Sequence, residues 1–196
     1  MPGVNLIDGS GPGFSAKVNE NLRLYTNGIV QTEAEAATDI GNSYNLNTGI
    51  IAYTGTSVSS LMYLKNNEDQ TLVVTAIAVG LFDRSATITD DALITLIRNP
   101  TTGDIVSDAT AVDMNQNRNF GSDNTLTADV FKGKDGGTVT NGGDIAKLLL
   151  SDGRSFFTID WELPKGKSLA ATVDLNTSGG ANMYCAFICH LKDPKQ

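Results

Sequence analysis

The sequence predicts an all-β chain: an antiparallel β-sandwich of jelly-roll type, with an extended N-terminal arm and at most one short helix. Three observations predict it. Short apolar segments recur along the chain, separated by Gly, Pro, Asn and Asp turn signals. Two of these segments alternate apolar and polar residues with the period of a half-buried strand. Only one stretch carries a helix signal, and it is too short to stand alone. With 196 residues and 40% apolar content the chain can build one core, and no run approaches the ~20 apolar residues of a membrane-spanning helix.

The elements follow in order. Residues 1–20 hold few large apolar groups, and Gly9-Ser10-Gly11-Pro12-Gly13 cannot sustain regular structure, so they read as an extended arm. Residues 31–40 form the short helix, with Thr32 as a cap and alanines and glutamates behind it. The expected organisation is therefore an arm and helix over 1–43 and a sandwich domain over 44–196. Strands are expected at 48–54 and 58–65, joined at Gly55-Thr56-Ser57, and at 70–82 after the turn Asn66-Asn67-Glu68-Asp69. Next come 92–99, a turn at Pro100-Thr101-Thr102-Gly103 and a short strand at 104–106. The last strands are 124–131, 145–150, 155–163, 168–175 and 181–192. Residues 107–144 are the least regular, yet Val112, Met114, Phe120, Leu126, Val130 and Phe131 supply anchors for a folded segment.

In 155–163, Phe157, Ile159, Trp161 and Leu163 share one face, and Phe156, Thr158, Asp160 and Glu162 the other. In 167–175, Leu169, Ala171, Val173 and Leu175 point inward, and a hairpin through residues 164–166 would join the two segments. Two strands break the pattern by being apolar on both faces. Residues 70–82 place Leu72, Val74, Ala76 and Ala78 on one side and Val73, Ile77, Val79 and Leu81 on the other. Residues 181–192 place Met183, Cys185, Phe187, Cys189 and Leu191 against Tyr184, Ala186 and Ile188. A sandwich strand needs one apolar face. The second must be covered, so Val73, Ile77, Val79, Tyr184, Ala186 and Ile188 are the candidate subunit interface, with intramolecular cover as the alternative.

The residues offer little chemistry. Lys plus Arg is 14 and Asp plus Glu is 22, a net charge of −8, which disfavours bare nucleic acid and anionic membranes. Cys185 and Cys189 fall on one strand face about 13 Å apart, too far for a disulfide, and read as small buried hydrophobes. The single histidine, His190, points away from both thiols and reads as a surface or interface residue. No nucleophile elbow, phosphate-binding loop or zinc motif occurs, so no catalytic set, cofactor or metal site is expected. Asp160 and Glu162 share a strand face about 7 Å apart, the nearest approach to a glycosidase pair, and fit a solvated face better. The loops at Asp123-Asn124, Asp135-Gly136-Gly137 and Asn141-Gly142-Gly143-Asp144 could offer oxygens to calcium, although turn chemistry explains them. The start, Met1-Pro2-Gly3-Val4-Asn5, has neither the basic nor the apolar region of a secretory leader.

Four segments carry a likeness. They are Asn115-Gln116-Asn117-Arg118-Asn119-Phe120-Gly121-Ser122, Asp129-Val130-Phe131-Lys132-Gly133, Ile159-Asp160-Trp161-Glu162-Leu163-Pro164-Lys165-Gly166, and the closing residues 184–194 around Cys185-Ala186-Phe187-Ile188-Cys189-His190. Over residues 44–194 the chain resembles small virion proteins of tailed bacteriophages, β-sandwich accessory proteins that decorate or cement the capsid, usually as trimers. The resemblance implies a homotrimer on the outer capsid surface, made in the host cytoplasm and bound to the major capsid protein. It brings no catalytic residues to carry over. A tail-associated receptor- or carbohydrate-binding module is the alternative, with its groove expected within 107–144 near Phe120 or Tyr44.

Overall fold

The computed structural model describes residues 5–6, 14–15, 32–55, 57–85, 91–107, 110–112, 116–151, 153–176 and 179–192. The chain divides into two compact units, Met1–Thr32 and Glu33–Gln196. In the first, β1 (Asn5–Leu6) pairs antiparallel with β2 (Phe14–Ser15). The remainder of the expected arm lies outside the described residues.

The second unit runs α1 (Glu33–Asp39), β3 (Ser43–Asn47), β4 (Ile51–Tyr53), β5 (Ser59–Asn66), β6 (Leu72–Phe82) and β7 (Ala92–Arg98). It continues through α2 (Asp104–Ser107), β8 (Thr110–Ala111), β9 (Ala128–Lys132), β10 (Gly143–Leu150), β11 (Gly153–Leu163), β12 (Ser168–Asp174) and β13 (Ala181–Leu191). One sheet has the order β10-β7-β12-β5-β9-β8, the other β11-β6-β13-β3, with β4 also on β13. The pairings within both sheets are antiparallel, and the fold is an all-β sandwich.

Strands with one apolar face explain the layering. Leu61, Leu72, Ile77, Ile94, Val173 and Phe187, among others from both sheets, meet in a single buried core. Two sheets packed face to face bury each strand's apolar side. The connection after β11 shows this choice and corrects the expected hairpin. Residues 164–166 carry the chain from one sheet to the other: β11 pairs with β6, whereas β12 pairs with β5 and β7. The inward faces of β11 and β12 thus meet across the core instead of lying side by side.

The expected strand at 104–106 is instead the single helical turn α2. Gly103, at φ 117°, turns the chain, and the Thr138 hydroxyl accepts a hydrogen bond from the Asp104 N–H at 3.2 Å. Ile105 then buries itself against Tyr63, Ile97 and Ala170, outside the main core. The described residues therefore hold two short helices where at most one was expected.

Candidate functional site

The interface expectation rested on β6 and β13 being apolar on both faces. For β6 the structure corrects the face assignment. The β13 ladder pairs Ile188 with Ala76 but Cys189 with Val74, leaving Thr75 as an extra residue in β6. A bulge of this kind flips the side-chain parity beyond it. Leu72 and Val74 before the bulge, and Ile77, Val79 and Leu81 after it, all enter the same core. Ile77 and Val79 are thus core residues and do not share an outer face with Val73. The Thr75 hydroxyl donates to the Ile188 carbonyl at 3.1 Å, satisfying a polar group at the irregularity.

On β13 the two faces fall as expected. Met183, Cys185, Phe187 and Cys189 are buried in the core. Both thiols are free, and burial pushes Cys185 up strongly and Cys189 up to about 12. Tyr184, Ala186 and Ile188 lie on the outer face, with Ala186 buried and the other two half-buried.

That outer face has two ends. At one, α1 packs over β13 and β3. His190 is only 3% exposed, and its Nε2 stands 3.9 Å from Glu33 Oε2, too long for a hydrogen bond. Both imidazole nitrogens and Glu33 Oε1 are buried without a hydrogen-bond partner among the described residues. Burial holds the imidazole below the ordinary histidine range, while the carboxylates of Glu33 and Asp160 oppose that shift. His190 is therefore covered by its own chain, and Val73, its ladder partner, is buried too.

At the other end the face is open. The Tyr184 ring lies against Gly80, where any Cβ would collide with it. Arg154 sits above that ring at 5.9 Å, a cation–π contact. Phe156 and Ile50 stand exposed beside them around a hollow of about 500 Å3 that reaches Ile188 and Asn45. A second hollow of about 460 Å3 shares Asn45 and Ile188 and is completed by Gln116, Arg118 and Phe120. The loop bearing Phe120 is held to the α1–β3 corner. Asn117 Nδ2 donates to the Gly41 carbonyl at 2.6 Å, the Arg118 N–H to the Ser43 carbonyl at 2.8 Å, and Asn119 Nδ2 to the Asp39 carbonyl at 3.0 Å. Phe120 is fully exposed on this anchored loop, whereas Tyr44, the other expected groove residue, is buried in the core. None of the residues lining either hollow is acidic, and Arg118 and Arg154 are basic.

A third feature lies along one side of the sandwich. The consecutive strands β10 and β11 are edges, one in each sheet. Their inward residues Ala146, Leu148, Ile159 and Trp161 pack on the core but stay half-buried. Near one end both edges lose register, β10 between Asp144 and Ala146, β11 between Thr158 and Trp161, where Asp160 adopts φ 51°. A cleft of about 570 Å3 opens there, with Trp161, Leu163 and Leu169 as its apolar surface and Asp160, Glu162 and Arg98 among its polar groups. Sequence reasoning placed Asp160 and Glu162 on one strand face but missed their company. Arg98, Asn99 and Lys167 come from other strands and turns, and no local spacing announces them.

The loops considered for calcium are engaged in structural hydrogen bonds. Asp135 accepts from the Thr54 N–H at 3.1 Å and hydroxyl at 2.8 Å, and Asn124 Nδ2 donates to the Ile40 carbonyl at 3.1 Å. No group of three or more metal-ligating side chains occurs among the described residues. No family model, curated protein or solved structure matches this chain.

Proposed function

We propose that this chain is a virion structural protein of the tailed-phage decoration type. It self-associates as a homotrimer and binds across subunits of the major capsid protein on the outer capsid surface. The observation that carries this reading is the open end of the outer sheet face. In a chain of net charge −8, Ile50, Phe156, Tyr184, Ile188 and Phe120 surround a surface with no carboxylate in its hollows. Two acidic protomers repel least where neither presents acid, and exposed apolar groups supply the attraction. The strand order supports the jelly-roll reading, because most connections from β4 onward cross between sheets, and that architecture is common in capsid and lectin domains.

The test is sedimentation of the full chain with and without Ile188→Asp. Wild type should sediment as a trimer at micromolar concentration and bind empty capsids, and the variant should be a folded monomer that binds them weakly. A wild-type monomer, or a variant that remains trimeric, would overturn the association face. A tail-associated receptor-binding module is the second reading, favoured by the anchored, fully exposed Phe120 beside Arg118 and Gln116. Glycan binding abolished by Phe120→Ala, without capsid binding, would select it.

A further inference from the structure

We infer that the cleft beside the register breaks of β10 and β11 binds a neutral carbohydrate, with Trp161 as the apolar platform and Asp160 and Arg98 as hydrogen-bonding groups. The inference is independent of the capsid reading. It shares a ligand class with the second reading but places the sugar at a different site from Phe120.

Three observations converge on it. The cleft, at about 570 Å3, falls within the ~300–1,000 Å3 range of small-ligand sites and combines apolar surface with a few polar groups, as such sites do. Trp161 is half-buried and fixed against the core, so its ring is ordered before any ligand arrives. The carboxylate of Asp160 and the guanidinium of Arg98 are exposed and make no hydrogen bond or ion pair among the described residues, while Asp160 also acts electrostatically on the His190 imidazole.

The charge balance selects the ligand. The lining carries two acids, Asp160 and Glu162, and two bases, Arg98 and Lys167. Such a site has no net preference for a phosphate or a cation. It offers donors and acceptors side by side, which suits hydroxyl groups that both give and accept hydrogen bonds. Glu162 is already held by Lys192 at 2.8 Å, and Asn99 by the Ser168 N–H at 3.0 Å, so part of the polar rim is fixed. A peptide strand added to the sheet is a poorer occupant, because both edges lose register at the cleft and interrupt a continuous ladder. Nucleic acid needs clustered positive charge, which this rim lacks.

Trp161 is the only tryptophan in the chain, so its fluorescence reports this cleft. The full chain is titrated with a panel of gluco-, galacto-, manno-, xylo- and N-acetylglucosamine-based oligosaccharides, following Trp161 emission with calorimetry as a second readout. At least one sugar should shift the emission saturably. Asp160→Asn keeps a residue that tolerates left-handed backbone and should weaken that sugar by about tenfold or more, as should Arg98→Gln. Phe120→Ala should leave the affinity within about twofold. A panel with no binder, or binding that survives both cleft substitutions, overturns the inference. Binding lost in Phe120→Ala but not in Asp160→Asn also overturns it, and supports the receptor-binding reading at the other groove.

Discussion

The two ends of the outer face of the β11-β6-β13-β3 sheet present one problem with two solutions. Strand β13 is apolar on both sides, and its outward residues need cover. At the His190 end the chain supplies its own: α1 lies across the sheet, and a half-buried glutamate stands against the buried histidine. At the Tyr184 end the described residues leave the strand open, and Arg154, Phe156 and Ile50 surround it. The difference teaches that an apolar second face is not one signal. A helix of two turns hides part of it, and only the remainder is free to meet another molecule.

The largest effect should come from confusing the core with that face. Ile77 and Ile188 are isoleucines on adjacent strands of one sheet, one fully buried and one half-buried outside. Ile77→Ala should lower unfolding stability by about 2–5 kcal/mol, whereas Ile188→Ala should lower it by about 1 kcal/mol or less. Denaturant titration of the two variants checks the contrast, and equal losses would place the core on the wrong side of β6.

Gly80 sharpens the open end. A methyl group there meets the Tyr184 ring, which is half-buried on the open face and can swing aside, so Gly80→Ala should cost about 1 kcal/mol or less and disturb the ring's contact with Arg154. Adding Tyr184→Ala should recover part of the loss, since the two changes share one collision. Near-ultraviolet circular dichroism together with thermal unfolding would read both effects.

The covered end should respond to acid. Burial lowers the folded-state pKa of His190 below its unfolded value, so the unfolded chain binds more protons in the window between the two. The contribution of this site to stability is therefore intact above about pH 6.5 and falls as the pH drops through that window. Glu33 and Asp160 moderate the fall, and Arg118 adds to it. His190→Gln should flatten this component of the pH profile, measured as the denaturant midpoint from about pH 7 to about pH 5.

The smallest effect belongs to the rim of the cleft. Lys192 and Glu162 pair at 2.8 Å with both side chains substantially exposed. Lys192→Met should cost little stability, and that cost should shrink with added salt. Unfolding at low and high ionic strength would show it.

How much of this was legible depended on range. The alternation of β11 survives intact in the fold, because a period of two is written in adjacent residues. The inward row of β13 was legible for the same reason. Strand β3 was not anticipated: Tyr44 and Leu46 point inward, but Ser43, Asn45 and Asn47 dilute the run until it resembles a loop. The short strand expected over 104–106 failed because three residues cannot distinguish a strand from a helical turn. In β6 the warning was Thr75, a polar residue within an apolar run, although only the pairing with β13 reveals it as an extra residue. The cleft was illegible in principle, because Arg98, Trp161 and Lys167 meet through the crossing of strands between sheets.

Cys185 and Cys189 turn the interior into a clock. Neither sulfur is accessible while the sheets stay closed, and burial suppresses the reactive thiolate of each. A chemical label added to the native protein can therefore attach only during moments when the two layers part. The rate of labelling would time those openings from the molecule's own atoms, with no probe engineered in.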